Sequence, residues 1–173
     1  MTKVLSRTLG LGAVLVVGAV AISGCSSGFG GLSTYGNNKV TVAEVSNIET
    51  YTADGALAEA RHHFRNANYG YSAAFYKRAV EMSPKNADAY VGLSASYDQL
   101  GRFDLSDRVY ATLYELKGGT AQYYNNVGYS YMLRGNFNQA LVNFRKAKAL
   151  EPNNLVVANN MQLLANAAAQ NRA

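Results

Sequence analysis

The alternation of apolar and polar positions divides the chain into three stretches. Thr8 to Ile22 is an uncharged run rich in Val, Leu, Ala and Gly. From Ser26 to about Tyr51, Ser, Gly, Asn and Thr dominate, with scattered Val and no sustained helical period. From Ala53 onward apolar residues recur every three or four positions, which predicts amphipathic helices with one buried face. The pattern also returns at a fixed interval. Gly101 and Gly135 stand 34 residues apart, as do Phe103 and Phe137, Tyr97 and Tyr131, Tyr90 and Tyr124, and Tyr110 and Phe144, while Pro84 and Pro152 are separated by twice that distance. Such a period marks stacked helical units, none of which can bury its apolar face alone.

These positions resemble the tetratricopeptide repeat (TPR). Residues 121–154 carry nearly its whole pattern: Tyr124, Val127, Gly128 and Tyr131 on a first helix, Ala140, Phe144 and Ala147 on a second, then Pro152. The repeat over 87–120 keeps Tyr90, Leu93, Ser94, Tyr97 and Tyr110. It has Ser106 and Leu113 where Ala is usual and Gly118 where Pro is usual, so it is expected to close less tightly. The repeat over 53–86 keeps Ala60, Tyr76, Ala79 and Pro84 but places Ala56 and Glu59 at bulky apolar positions, as suits a terminal unit with one face in water. The resemblance implies an all-α solenoid of three helix-turn-helix repeats. An amphipathic helix over 155–170, apolar at Val156, Val157, Met161, Leu164 and Ala168, is expected to cap it. Small residues at Gly128, Ala140 and Ala147 should let helix axes approach closely. Gly101 and Gly135 should end first helices in a left-handed conformation, and Pro84 and Pro152 should follow the ends of second helices.

The N-terminal stretch has the form of a signal peptide over residues 1–24, with Lys3 and Arg7 ahead of the apolar run. That run is short and glycine-rich for a spanning helix of about 20 residues. Ile22-Ser23-Gly24-Cys25 resembles the lipobox of bacterial lipoproteins. The resemblance implies cleavage before Cys25 and covalent diacylglycerol and N-acyl lipid on that residue. With Ser26 next, it further implies delivery to the outer membrane, facing the periplasm. The alternative is an ordinary signal peptide with an incidental Cys. Residues 25–52 read as a lipidated tether, with a short edge strand around Lys39 to Val45. Cys25 is the single cysteine, so no disulfide can form within the chain and no other thiolate is present to bind a metal.

Without Lys3 and Arg7, 14 basic residues face 11 acidic ones, a mild net charge of +3. No basic stripe with interleaved aromatics appears, and a nucleic-acid partner is not expected. His62 and His63 are adjacent on a helix, so their rings diverge by about 100 degrees and make a poor zinc pair; they read as solvated residues. No phosphate-cradling Gly loop, nucleophile elbow or paired-carboxylate site is evident, and neither an enzyme nor a cofactor or small-molecule substrate is expected.

In the TPR family the first helices line a concave groove. Carried over residue by residue, this implies a partner-binding surface centred on Arg61, Arg65, Asn125, Asn126, Tyr129, Asn159 and Asn160. Its neighbours would be Asp54, Leu57, Ala58 and Phe64, then Asp88, Val91, Gly92, Ala95, Asp98 and Gln99, then Gln122, Met132, Leu133 and Leu163. Asparagine amides both donate and accept, which suits the backbone of a bound peptide; the plainer reading is ordinary surface polarity. Leu57, Gly92 and Gln122 stand where the family's carboxylate-clamp members carry their binding Lys and Asn, so a C-terminal carboxylate is not the expected ligand. A lipobox joined to such repeats resembles the pilus-assembly lipoproteins of the Tad/Flp system and, more loosely, the pilotins. This implies a protein partner such as a secretin or pilus-assembly component. The alternative is an adaptor that regulates cell-wall enzymes.

Overall fold

The first helix of each unit begins where the sequence supplies a side-chain oxygen for its exposed amides. Thr52 Oγ1 accepts from the Gly55 amide at 3.2 Å and starts α1 (Ala53–Arg65). Asn86 Oδ1 accepts from Asp88 and Ala89 at 3.1 and 3.3 Å and starts α3 (Ala87–Gln99). Thr120 Oγ1 accepts from Tyr123 at 3.1 Å before α5 (Ala121–Leu133), and Asn154 Oδ1 accepts from Val156 and Val157 at 2.9 and 3.2 Å before α7 (Leu155–Gln170). Each such cap is worth about 1 kcal/mol. Between them lie the second helices α2 (Tyr69–Met82), α4 (Phe103–Lys117) and α6 (Phe137–Leu150).

These elements come from a computed structural model that describes residues 41–171. The expected signal peptide over 1–24, the expected lipidation site Cys25 and the expected tether up to residue 40 lie outside the described residues.

Turns within the repeats follow the expected chemistry. Gly101 and Gly135 adopt φ of 68° and 76°, and the equivalent residue of the first repeat is Ala67, held at φ 56°. Helices α2 and α6 end two residues before Pro84 and Pro152. At Gly128 α5 and α6 approach closely: a Cβ there would lie 2.8 Å from the Phe144 ring and 3.2 Å from the Ala140 carbonyl.

The apolar interior forms two clusters. One joins α1, α2 and α3 through Ala56, Leu57, Ala60, Phe75, Tyr76, Leu93 and Tyr97, with Leu105 and Val109 of α4 against it. The other joins α5, α6 and α7 through Met132, Ala140, Phe144 and Leu164, with Phe137, Leu141 and Met161 against it.

Three expectations are corrected. Residues 41–52 are not a free tether: Val42, Val45, Ile48 and Tyr51 pack against the first cluster, and Ile48–Thr50 forms a 3-10 turn. The edge strand is absent over 41–45, where the only backbone pairing across to the repeats is Ala43 N–H to the Gly70 carbonyl at 3.2 Å. Partial burial of every third residue, with Arg78 of α2 donating to the Glu49 and Tyr51 carbonyls, holds the segment instead. Finally, Val156 does not belong to the buried face of α7. It is exposed beside Leu155, whereas Val157 and Leu164 are buried.

Candidate functional site

The first helices α1, α3 and α5, with α7, line one concave surface holding two adjoining hollows of about 290 Å³ each. The outer hollow lies among Arg61 and Phe64 of α1, Tyr76 of α2, Asp88, Val91 and Gly92 of α3, and Gln122 of α5. Arg61 faces Asp88 across it at 3.6 Å, an exposed pair that contributes little to stability. The Tyr76 ring occupies the space above Gly92, where a Cβ would fall 2.0 Å from ring carbon Cζ. Glycine is needed there for that approach, not for a backbone angle. Burial lifts the Tyr76 hydroxyl above its ordinary pKa, while the nearby Arg61 and Arg65 charges act against the rise.

The inner hollow is framed by Phe64, Val91, Ala95 and Gln99 on one side and by Gln122, Asn125, Asn126, Tyr129 and Asn160 on the other. Its asparagines form a ladder between α5 and α7. Asn160 donates through Nδ2 to Asn125 Oδ1 at 2.9 Å, and Asn125 Nδ2 lies 3.4 Å from Asn126 Oδ1. Asn125 is thereby buried and serves as a strut between helices.

At the floor lies Asp98, 2% exposed. Its Oδ1 accepts from the hydroxyls of Ser106 at 2.5 Å and Ser130 at 2.6 Å, and its Oδ2 accepts from Tyr110 at 2.8 Å. Desolvation raises the carboxyl pKa; the hydrogen bonds from Ser106, Ser130 and Tyr110 and the charge of Arg134 oppose the rise. Burial, reinforced by the Asp98 charge, pushes Tyr110 well above the ordinary phenol value. Arg134 does not pair with Asp98 directly. It donates to Ser130 Oγ at 2.7 Å and grips Asp107 with two bonds of 2.8 and 2.9 Å, its guanidinium lying between the rings of Phe103 and Tyr131.

Helices α3 and α4 meet over fewer residues than the helix pairs of the first and third repeats, the looser closure expected of the second, and this network partly offsets it. Ser106, which replaces the usual Ala, is fully buried and ties α4 to α3 through Asp98. The looseness extends to the next step, where α4 meets α5 over fewer residues than α2 meets α3. There the Gly118-Gly119 link replaces proline, with Gly118 at φ 69° and the Tyr124 hydroxyl filling the space a Gly119 side chain would need.

Of the predicted groove residues, Arg61, Asn125, Asn126, Tyr129 and Asn160 line the hollows; Arg65 and Asn159 are exposed but line neither. Leu57, Met132 and Leu133 are buried in the core. Helical spacing alone cannot separate the rim of a concave face from the seam beneath it. Asp98 appeared only as one groove position among many, and its three hydroxyl partners come from α4 and α5, beyond any local pattern. His63 also departs from expectation. Its ring is stacked between Tyr71 and Phe75, with centroids 5.2 and 5.5 Å away, and only His62 is exposed.

Residues 121–154 match the tetratricopeptide repeat family model. The fold is a TPR solenoid. Among solved structures it is similar to the TPR domain of Arabidopsis OM64, with TM-score 0.59 at 18% identity over 69% of this chain and 98% of that one. It is also similar to the first TPR of Spaghetti (RPAP3) bound to the HSP90 peptide SRMEEVD, with TM-score 0.58 at 18% identity over 68% and 94% of the two chains. A third is PcrH in complex with the chaperone binding region of PopD, with TM-score 0.57 at 14% identity over 68% and 92%. No curated protein matches the sequence.

Proposed function

We propose that this TPR solenoid is a lipid-anchored adaptor at the outer membrane whose concave groove holds a segment of a protein partner in pilus or secretion-system assembly. The observation that carries the binding part is the continuity of the groove, from Arg61 on α1 to Asn160 on α7, with polar side chains set along apolar walls. A surface of this kind suits a peptide: apolar walls take side chains, and amides satisfy backbone groups. Similar folds hold peptides in the Spaghetti complex with its HSP90 peptide and the PcrH complex with its PopD region, which supports the reading. Leu57, Gly92 and Gln122 argue for a ligand other than a C-terminal carboxylate. The envelope setting rests on the resemblance of Ile22 to Cys25 to a lipobox, and the pilus setting on the combination of that anchor with these repeats.

A photo-crosslinker at Asn126, half-buried in the inner hollow, tests the groove. Covalent capture of one envelope protein is expected, and capture of none would overturn the binding reading. For the anchor, Cys25→Ser should leave a folded protein without lipid label, either soluble or unprocessed. Unchanged labelling and retention would refute it.

A further inference from the structure

The inner hollow has an electrostatic character that the outer one lacks. In the outer hollow Arg61 and Asp88 offset each other. The inner one contains Asp98, and among the described residues no Lys or Arg lines it. A carboxylate offers about four acceptor positions. Three are taken here, two on Oδ1 and one on Oδ2, so one position on Oδ2 remains. The Asn126 carbonyl adds a further acceptor at the same place: the Tyr110 hydroxyl, which donates to Oδ2, also lies within donating distance of it at 3.3 Å. Arg134 stands behind Ser130 with its charge already shared by Asp107, so it balances Asp98 only at second hand. A buried carboxylate without a direct cation is costly to keep, and a hollow whose floor presents acceptors favours a cation arriving from the open side. Val91 and Ala95 on the wall would cover the methylenes of such a side chain.

We infer that the inner hollow is a subsite for one basic side chain, Lys or Arg, of the bound peptide, seated with its charged head toward Asp98 Oδ2 and Tyr110. This rests on the groove reading above and adds to it the chemistry of the ligand.

The test is a peptide-display selection from a random library against the full chain in detergent. Recovered peptides should carry Lys or Arg at one fixed register, and replacing that residue by Met in a recovered peptide should weaken binding about tenfold or more, as for a desolvated charge pair. Against Asp98→Asn the same replacement should cost little, because the coupling between the two sites is what the double-mutant cycle reads. The new amide can still accept from Ser106 and Ser130 and donate to Tyr110, so the fold should survive, and circular dichroism checks it. Should it not survive, Gln99→Lys, at the rim of the hollow and outside the network, supplies the second reading. It should weaken basic peptides selectively. Peptides recovered without a basic residue, or an equal loss in wild type and both variants, would overturn the subsite while leaving the groove intact. Recovery of no peptide would overturn the groove reading and the subsite together.

Discussion

The two seams between repeats are built on opposite principles. Between the first and second repeats the interior is continuous and mainly apolar: Tyr76 lies over Gly92, Leu93 and Tyr97 pack with Ala79 and Phe75, and the polar Ser72–Ser96 contact of 2.9 Å is a minor insertion. Between the second and third repeats the apolar cluster stops, and Asp98 gathers hydroxyls from Ser106, Tyr110 and Ser130 in its place. Apolar packing is tolerant of small shifts and nondirectional. A hydrogen-bonded carboxylate is neither, so the second seam, where the helices meet over fewer residues, depends on bond geometry and stands to lose more when a partner is removed. Its position also matters: the apolar seam underlies the charge-balanced hollow, and the polar seam underlies the acidic one.

The contrast can be broken from either side. The largest effect is expected from Phe144→Ala, which empties a fully buried ring site in the second cluster and should cost about 3–5 kcal/mol in urea unfolding. Loss concentrated in α5 to α7 by hydrogen exchange would show the clusters to be separate cooperative units; uniform loss would show them to be one.

Next is Gly92→Ala. Its methyl would meet the Tyr76 ring, so destabilisation of about 1–3 kcal/mol is expected. To relieve the contact the ring must move toward the outer hollow, and a crosslinker at Asp88 should lose yield more than one at Asn126.

The polar seam has its own signature in pH. Because the native state raises the Asp98 pKa, it holds a proton over a range where the unfolded chain, titrating near 3.8, has released it. Stability from this group is therefore greatest at low pH and declines as pH rises from about 4 through the raised value. Subtracting the Asp98→Asn curve from that of the wild type isolates this slope. A difference that is flat, or that rises with pH, would contradict the burial argument.

The smallest effect concerns a turn. Ala67 occupies the left-handed conformation that glycine takes at 101 and 135, and Ala67→Gly should stabilise by up to about 1 kcal/mol after the entropy of glycine is set against the relieved strain. A thermal melt suffices to check the sign.

Much of the architecture was legible because it is local and recurrent. Thr52, Asn86, Thr120 and Asn154 stand one residue before helices that begin 34 residues apart, and the turn glycines and terminating prolines repeat in step. Repetition averages out weak propensity, which is why α7 could be placed from residue 155 to 170 with no partner helix to confirm it. The docked segment was not legible. Val42, Val45, Ile48 and Tyr51 are too sparse to show a period, and what holds them is the exposed flank of α2.

What the amino-acid order determined by itself was the number, length and sequence spacing of the helices, since caps, turns and apolar periodicity act within a few residues. The tertiary structure alone decided which groove positions stay open. It buried Leu57, Met132, Leu133 and Asn125, left Arg61 and Asn126 on the groove, and brought Ser106, Tyr110 and Ser130 around Asp98. The reason is geometric. Whether a side chain faces a neighbour or water depends on how far two helices have turned about each other, and that angle is set by the packing of the whole stack.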